Sequence, residues 1–275
     1  MNIFKTELNQ LRNVWWITVF FLILFLLTLP AILISSYYNS QVSVELQALI
    51  IVIVSFICQR LRKQAFQELT GKLNRVWIIQ LLQGFGIGAL MMLLPAVFLF
   101  IGGWVTWDFQ EMNFSSLLSS TVLFMSIAIA EELLFRGFIF QRLITSVGIL
   151  ISQIIMAGYF LLIHMDNPGM VGLTKVFAMI NIFLASILLG ITYIKTRSLA
   201  LPLGIHFMAN WVQGYFLGFG VSGNAQKGLF QPEIVKSLDW LTGGTFGLEA
   251  SLPGLVFLVI IIIICQKMKI QKCES

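Results

Sequence analysis

The chain alternates long apolar runs with short polar breaks. Runs at 14–34, 44–58, 76–102, 117–140, 149–164, 175–194, 199–219 and 252–265 read as helices, because in lipid each backbone N–H and C=O must be satisfied within its own segment. About 20 residues cross the hydrocarbon core as a helix, so the pattern predicts an all-α, polytopic transmembrane helical bundle of about eight spans. Lys5 and Arg12 precede the first run as in a signal peptide. That run is longer than a signal core and no Ala-x-Ala site follows, so it counts as a span.

Composition agrees. Hydrophobic residues make up 58% of the 275 and charged residues 11%, where a soluble domain carries about 25% charged residues. The mean hydropathy is +0.92, and lipid is the only solvent that suits such a surface. The net charge of +5 then matters through its placement and implies no nucleic-acid partner. With the N-terminus in the cytoplasm, fourteen of the Lys and Arg residues fall on the cytoplasmic side, from Lys5 and Arg12 through Arg136 and Arg142 to Lys272. Only Lys175, Lys227 and Lys236 fall opposite. This positive-inside asymmetry orients both termini inward.

The rest of the chain adds little chemistry. A basic cytoplasmic loop, 60–75, interleaves Leu61, Phe66 and Leu69 with its charges. It reads as an ordinary loop obeying the charge rule, with contact to anionic headgroups as the alternative. The outer loop 220–251 is glycine-rich and is expected to be mobile or partly re-entrant. Cys58, Cys265 and Cys273 have unrelated spacings and suggest neither disulfides nor a zinc knuckle. Cys273 is third from the end, so it makes no lipidation box. Tryptophans such as Trp15, Trp16, Trp104, Trp107 and Trp211 fall near span ends, where interfacial anchoring is the default.

A charged side chain at a helix centre in the membrane costs roughly 2.5 to 3.5 kcal/mol on insertion scales, so each one needs a reason. Glu131 and Glu132 are adjacent within the run 117–140, and Arg136 follows four residues after Glu132. Glu132 and Arg136 share a helix face and can pair. Glu131 projects about 100° away and is left for another partner. Both histidines of the chain, His164 and His206, also lie in apolar runs, and Asn210 shares the face of His206. A lone buried histidine is usually a packing residue. Two of two, with carboxylates and an amide at helical spacing, point to a functional polar cluster.

Such a cluster can activate water. A glutamate beside a neutral imidazole takes a proton from water, and a further imidazole and an amide supply donors to a developing oxyanion. Together these amount to amide hydrolysis. Ser126, Ser152 and Ser186 lack a G-x-S-x-G setting. His164, His206 and Glu131 could instead ligate zinc with an open position, although no H-E-x-x-H run is present. No cofactor is expected, while a divalent metal is not excluded. Asp166 and Asn167 are placed to line a site entrance, and the Pro168-Gly169 turn explains them equally well.

These residues resemble a known family. Glu131-Glu132-x-x-x-Arg136, Phe160-x-x-x-His164 and His206-x-x-x-Asn210, with the approach through Gly190, Arg197, Ser198, Leu199 and Pro202, are similar to the three motifs of the CAAX protease and bacteriocin-processing (CPBP, or Abi) family. The similarity covers 117–211. Members are intramembrane endopeptidases related to the type II CAAX prenyl proteases, which implies a peptide or protein substrate at or in the membrane. By that resemblance Glu131 and His164 activate the water, His206 and Asn210 hold the oxyanion, and Glu132 and Arg136 support the site. It also implies an integral, multi-pass protein of a bacterial plasma membrane.

Two other readings stay open. In one, the protein is a non-catalytic immunity or scaffold protein and the polar residues merely join helices. In the other it is a proton-coupled transporter, with Gly84, Gly86, Gly88, Pro95 and Pro202 breaking helices around a cavity. Ideal perpendicular spans would set the histidines at different depths, since His164 is about 22 Å along its helix and His206 about 10 Å along its own. A shared site therefore requires a tilted or low fifth helix, or a seventh that begins deeper.

Overall fold

The computed structural model describes Phe4, residues 11–236 and residues 238–269. Lys5, Lys272 and Cys273 lie outside these described residues. Each of the eight predicted runs is mostly helical. They form α1 (Asn13–Tyr37), α2 (Val44–Leu61), then, after the four-residue α3 (Gln67–Thr70), α4 (Arg75–Ile101). The run at 117–140 becomes α5 (Phe114–Glu132), a wide π-helical turn (Leu133–Phe138) and α6 (Ile139–Val147). Next come α7 (Ile149–Ile163), α8 (Gly172–Thr196) and α9 (Ala200–Trp211), the last running into a second π-helical turn (Val212–Phe216). The short α10 (Asp239–Thr242) precedes α11 (Leu252–Lys267).

Five helical stretches are long and apolar enough to cross a membrane, and α7 and α11 are shorter apolar helices. Polar residues at the breaks start several of them. Asn74 accepts from Trp77 N, Asn113 from Ser115 N and Ser116 N, and Ser251 from Gly254 N, satisfying N–H groups that a helix start leaves bare. The outward faces are apolar. On α1 only Phe20 is fully buried, stacked at 5.3 Å on Phe138, while Leu22, Phe25, Leu26 and Leu33 point outward. A surface of this kind fits lipid and not water, so the protein is a helical membrane protein.

Two large buried clusters and a smaller one around Phe124, Phe207 and Tyr215 fill the bundle. The first large cluster joins α4, α8, α9 and α11 through residues such as Met92, Leu188, Ile205 and Leu258. The second joins α1, α2, α6, α7 and α8 through Phe20, Val54, Phe140, Met156 and Ile182. Tight backbone approach sets the α4–α9 contact. A Cβ at Gly88 would lie 2.3 Å from the Ile205 carbonyl oxygen, and one at Gly204 would lie 2.4 Å from that of Leu81. Small residues at such a crossing let helices pack closely in lipid. The glycines of α4 and Pro95 thus sit within one continuous helix, and Pro202 within the first turn of α9. None of them breaks a helix.

Three further features depart from the sequence reading. Strands β1 (Val105–Phe109) and β2 (Phe230–Ile234) pair antiparallel, Trp107 opposite Pro232, and Trp107 Nε1 donates to the Leu217 carbonyl at 3.0 Å. The stretch 220–251 holds β2 and α10 and packs on the bundle. A Cβ at Gly223 would meet the Pro168 carbonyl oxygen at 1.8 Å, and one at Gly220 the Thr245 carbonyl oxygen at 2.4 Å. The loop 60–75 folds inward. Leu69 is fully buried, and Glu68 accepts from Arg62 Nη1 at 2.9 Å and Arg142 Nη2 at 3.0 Å. Arg136 and Arg142, which the charge rule counts among the cytoplasmic charges, are likewise buried and paired.

Candidate active site

The two carboxylates end α5 and part there, as the helical spacing requires. Glu132 turns into the protein at 1% exposure, and Glu131 faces a cavity of about 290 Å³. Immediately after them the chain takes the wide turn that contains Gly137, with φ −77° and ψ −113°. Such turns are uncommon and cluster at functional sites, where they redirect a helix. Arg136 lies within this turn. Its Nη1 donates to Glu132 Oε1 at 3.0 Å, and its Nη2 donates to Ser186 Oγ at 2.9 Å and to the Ser186 carbonyl at 3.2 Å.

Aromatic packing completes the guanidinium's surroundings. Its carbon lies 5.1 Å from the ring centre of Phe160, and the same ring lies 4.5 Å from that of His164. Phe160 therefore links the buried cation to the histidine, a cation–π contact strengthened by desolvation. Ser186 of α8, which has no nucleophile setting in the sequence, serves to hold Arg136.

His164 follows the last residue of α7. Its Nδ1 lies 2.7 Å from the Phe160 carbonyl oxygen, one of the carbonyls that a helix end leaves without an intrahelical donor. A carbonyl can only accept, so Nδ1 carries the proton. In the neutral ring, Nε2 is then a bare acceptor, and it stands 4.0 Å from Glu131 Oε1.

His206 reaches the same carboxylate from α9. Its Nε2 is 3.7 Å from Glu131 Oε2, and its Nδ1 is 2.9 Å from Glu132 Oε1. One imidazole thus touches both members of the glutamate pair. Helix α9 is short and starts inside the protein, with Leu199, Ala200 and Leu201 all buried. Thr70 holds that start. Its carbonyl accepts from Leu199 N at 3.1 Å and Ser198 Oγ at 3.3 Å, and Gly71 with φ +79° allows the approach, since a Cβ there would lie 2.8 Å from Ser198. At the far end of α9, Trp211 Nε1 donates to Thr121 Oγ1 at 3.0 Å, which aligns α9 with α5. Trp211 is a tether between helices as well as an aromatic near a span end.

Glu131, His164, His206 and Asn210 line one cavity. Asn167 lines it too, whereas Asp166 is not among the lining residues. Four polar groups that the sequence did not single out join them. Asn181 comes from α8, where a lone amide in an apolar run was the available signal. Ser222, Asn224 and Glu249 come from the stretch 220–251, where nothing in the pattern marked them. Glu249 Oε1 accepts from Ser222 N, from Ser222 Oγ at 3.1 Å and from Gln213 Nε2 at 3.3 Å. Among the described residues, no group of three or more His, Cys, Asp or Glu side chains is arranged to hold a metal ion.

No curated protein and no solved structure matches the chain. The model of one family matches residues 113–212, from the asparagine that caps α5 to the first residue after α9. All six motif residues fall within this stretch, which is similar to the family described as type II CAAX prenyl endopeptidase Rce1-like.

Proposed function

We propose that the protein is a membrane-embedded, glutamate-type endopeptidase that hydrolyses a peptide bond with water. The observation that carries this reading is the position of Glu131, whose two oxygens face the Nε2 atoms of His164 and His206 in the wall of one cavity. At 4.0 Å, Glu131 and His164 are too far apart for a direct hydrogen bond. Both are acceptors, so a water between them gives one hydrogen to each and turns a lone pair toward the substrate. The water oxygen attacks the carbonyl carbon while its proton passes to the Glu131–His164 pair. That proton is then delivered to the amide nitrogen as the carbon–nitrogen bond breaks.

The developing oxyanion is received by His206 and Asn210. With Nδ1–H given to Glu132, His206 has an Nε2–H to offer only when the ring carries both protons. Glu132 and Arg136 hold that ring in place and make no contact with substrate. The substrate is a peptide or protein at or in the bilayer. The protein is multi-pass in a bacterial plasma membrane, with about eight spans and both termini cytoplasmic.

The test is hydrolysis of peptides by the purified protein in detergent and in proteoliposomes, beside Glu131→Gln. Cleavage by the wild type alone supports the reading. Folded wild type that cuts no peptide while retaining a cellular phenotype in Glu131→Gln would instead identify a scaffold or immunity protein. Labelling of single cysteines placed at positions 39, 72, 148 and 227 in intact cells tests the orientation, with 72 and 148 expected to be shielded from an impermeant reagent.

A further inference from the structure

The cavity has a second carboxylate that this mechanism does not use. Glu249 stands on the 3₁₀ turn Leu248–Ala250, ahead of α11, and lines the cavity with Glu131. It is firmly placed. Gly247, with φ +111°, leaves room for the Gly220 carbonyl and the Gln213 amide, since a Cβ there would lie 2.0 Å from the first and 2.6 Å from the second. Gln213 Nε2 also donates to the Gly220 carbonyl at 2.7 Å.

The placement is rigid but electrostatically incomplete. All three donors go to Oε1, and Oε2 accepts no hydrogen bond from any described residue. Gln213, its partner, is itself buried with an Oε1 that takes no donor among the described residues. Glu249 is half-buried and lines the cavity, so its Oε2 is a charged acceptor on the cavity wall left without a donor from the described residues. Burial pushes the Glu249 carboxyl above its ordinary range, and the Ser222 donors and His164 only partly offset this. The cavity lining includes two glutamates and no lysine or arginine.

We propose that Glu249 is a specificity-determining residue that receives the ammonium or guanidinium of a substrate lysine or arginine beside the scissile bond. The inference rests on the endopeptidase reading. A cation gives Oε2 the donor it lacks and balances the charge of a half-buried carboxylate, and charge-assisted bonds of this type are stronger than neutral ones. An acidic side chain at the same place meets two carboxylates. A free C-terminal carboxylate near the scissile bond meets no guanidinium or ammonium among the lining residues. The substrate class is thus an internal peptide bond flanked by a basic residue.

The experiment uses short internally quenched peptides that are identical except for one lysine, glutamine or glutamate, moved through each position in turn. At one position the wild type is expected to favour lysine over glutamate by about tenfold or more in kcat/KM. Glu249→Gln, which keeps the acceptor for Ser222, is expected to bring that ratio to within about threefold of unity, and Glu249→Lys to invert it. Binding is measured separately in the Glu131→Gln background, as the rise in melting temperature with the lysine or the glutamate peptide. A lysine preference in binding with no hydrolysis by the wild type overturns the endopeptidase reading alone. Equal binding of the two peptides, or a preference that Glu249→Gln leaves unchanged, overturns the role of Glu249.

Discussion

Glu132 Oε1 lies 2.9 Å from His206 Nδ1 and accepts from Arg136 Nη1 at 3.0 Å. One buried oxygen therefore joins α5 to α9, while Glu132 Oε2 takes no hydrogen bond from any described residue. The consequence is a division of labour between adjacent carboxylates. Glu132 fixes the histidine ring from inside the protein, and Glu131 is left on the cavity side with both Nε2 atoms in front of it.

Replacing Glu131 by Gln keeps the shape of the side chain but removes its capacity to take a proton. Peptide cleavage is expected to fall by about 10²–10⁴-fold, the usual contribution of a positioned general base. The melting temperature in detergent is expected to stay within about 2 °C of the wild type, because the residue faces the cavity. A chelator added to the wild type is expected to leave cleavage unchanged. Loss of activity with the chelator and recovery on adding zinc would establish a metal mechanism in its place.

Breaking the buried pair has a different signature. Arg136→Met strands Glu132 without its cation and is expected to cost about 3–5 kcal/mol of stability. Adding Glu132→Leu removes the stranded charge, and the double variant is expected to regain most of the lost stability. Hydrolysis is expected to remain absent in the double variant, because His206 has lost its anchor. Thermal melts and activity measured on the same samples separate the two effects; a double variant that recovers activity would show that the anchor is dispensable.

The α4–α9 contact gives a matched pair of substitutions two residues apart. At Gly88 a Cβ would meet the Ile205 carbonyl at 2.3 Å, whereas at Gly86 nothing lies within 4 Å. Gly88→Ala is expected to destabilise the protein by about 1–3 kcal/mol and to displace the helix that carries His206. Gly86→Ala is expected to be neutral or stabilising by up to about 1 kcal/mol, through helix propensity. Equal melting temperatures for the two variants would contradict the close packing described above.

Acid sensitivity is expected from Glu68. Burial alone would raise its carboxyl, but hydrogen bonds from Arg62, Gln59 and Arg142 hold it at about 2, below the ordinary 4.5. A depressed value means that the unfolded chain binds the proton more readily. The stabilisation is therefore present above about pH 4.5 and is lost as pH falls toward about 2. Glu68→Gln is expected to melt earlier than the wild type at pH 7, with the gap closing over that acid range. A gap that is unchanged at pH 3 would remove Glu68 from the account.

The motif residues were legible in the sequence because insertion into lipid makes an idle polar group expensive. Glu131, Glu132, Arg136, His164, His206 and Asn210 each stood out against apolar neighbours, and spacing alone separated the faces of the two glutamates. Glu249 and Ser222 were not legible, since they sit in a stretch where polar residues are ordinary. The strands were missed for a related reason. Each is short and mostly exposed, and its partner lies more than a hundred residues away, so no local period announces the pairing.

By itself, then, the sequence determined that this is a helical membrane protein, where its helices fall and which polar residues stand out as candidates for its chemistry. Those conclusions follow from local hydrophobicity and from the cost of burying charge, both readable one segment at a time. Only the tertiary structure decided how residues from α5, α7 and α9 come to one cavity, that α9 starts inside the protein against Thr70, and that the glycine-rich stretch 220–251 adds a carboxylate to the cavity wall. Those are matters of backbone approach between distant segments, set by packing and hydrogen bonds for which linear spacing has no counterpart.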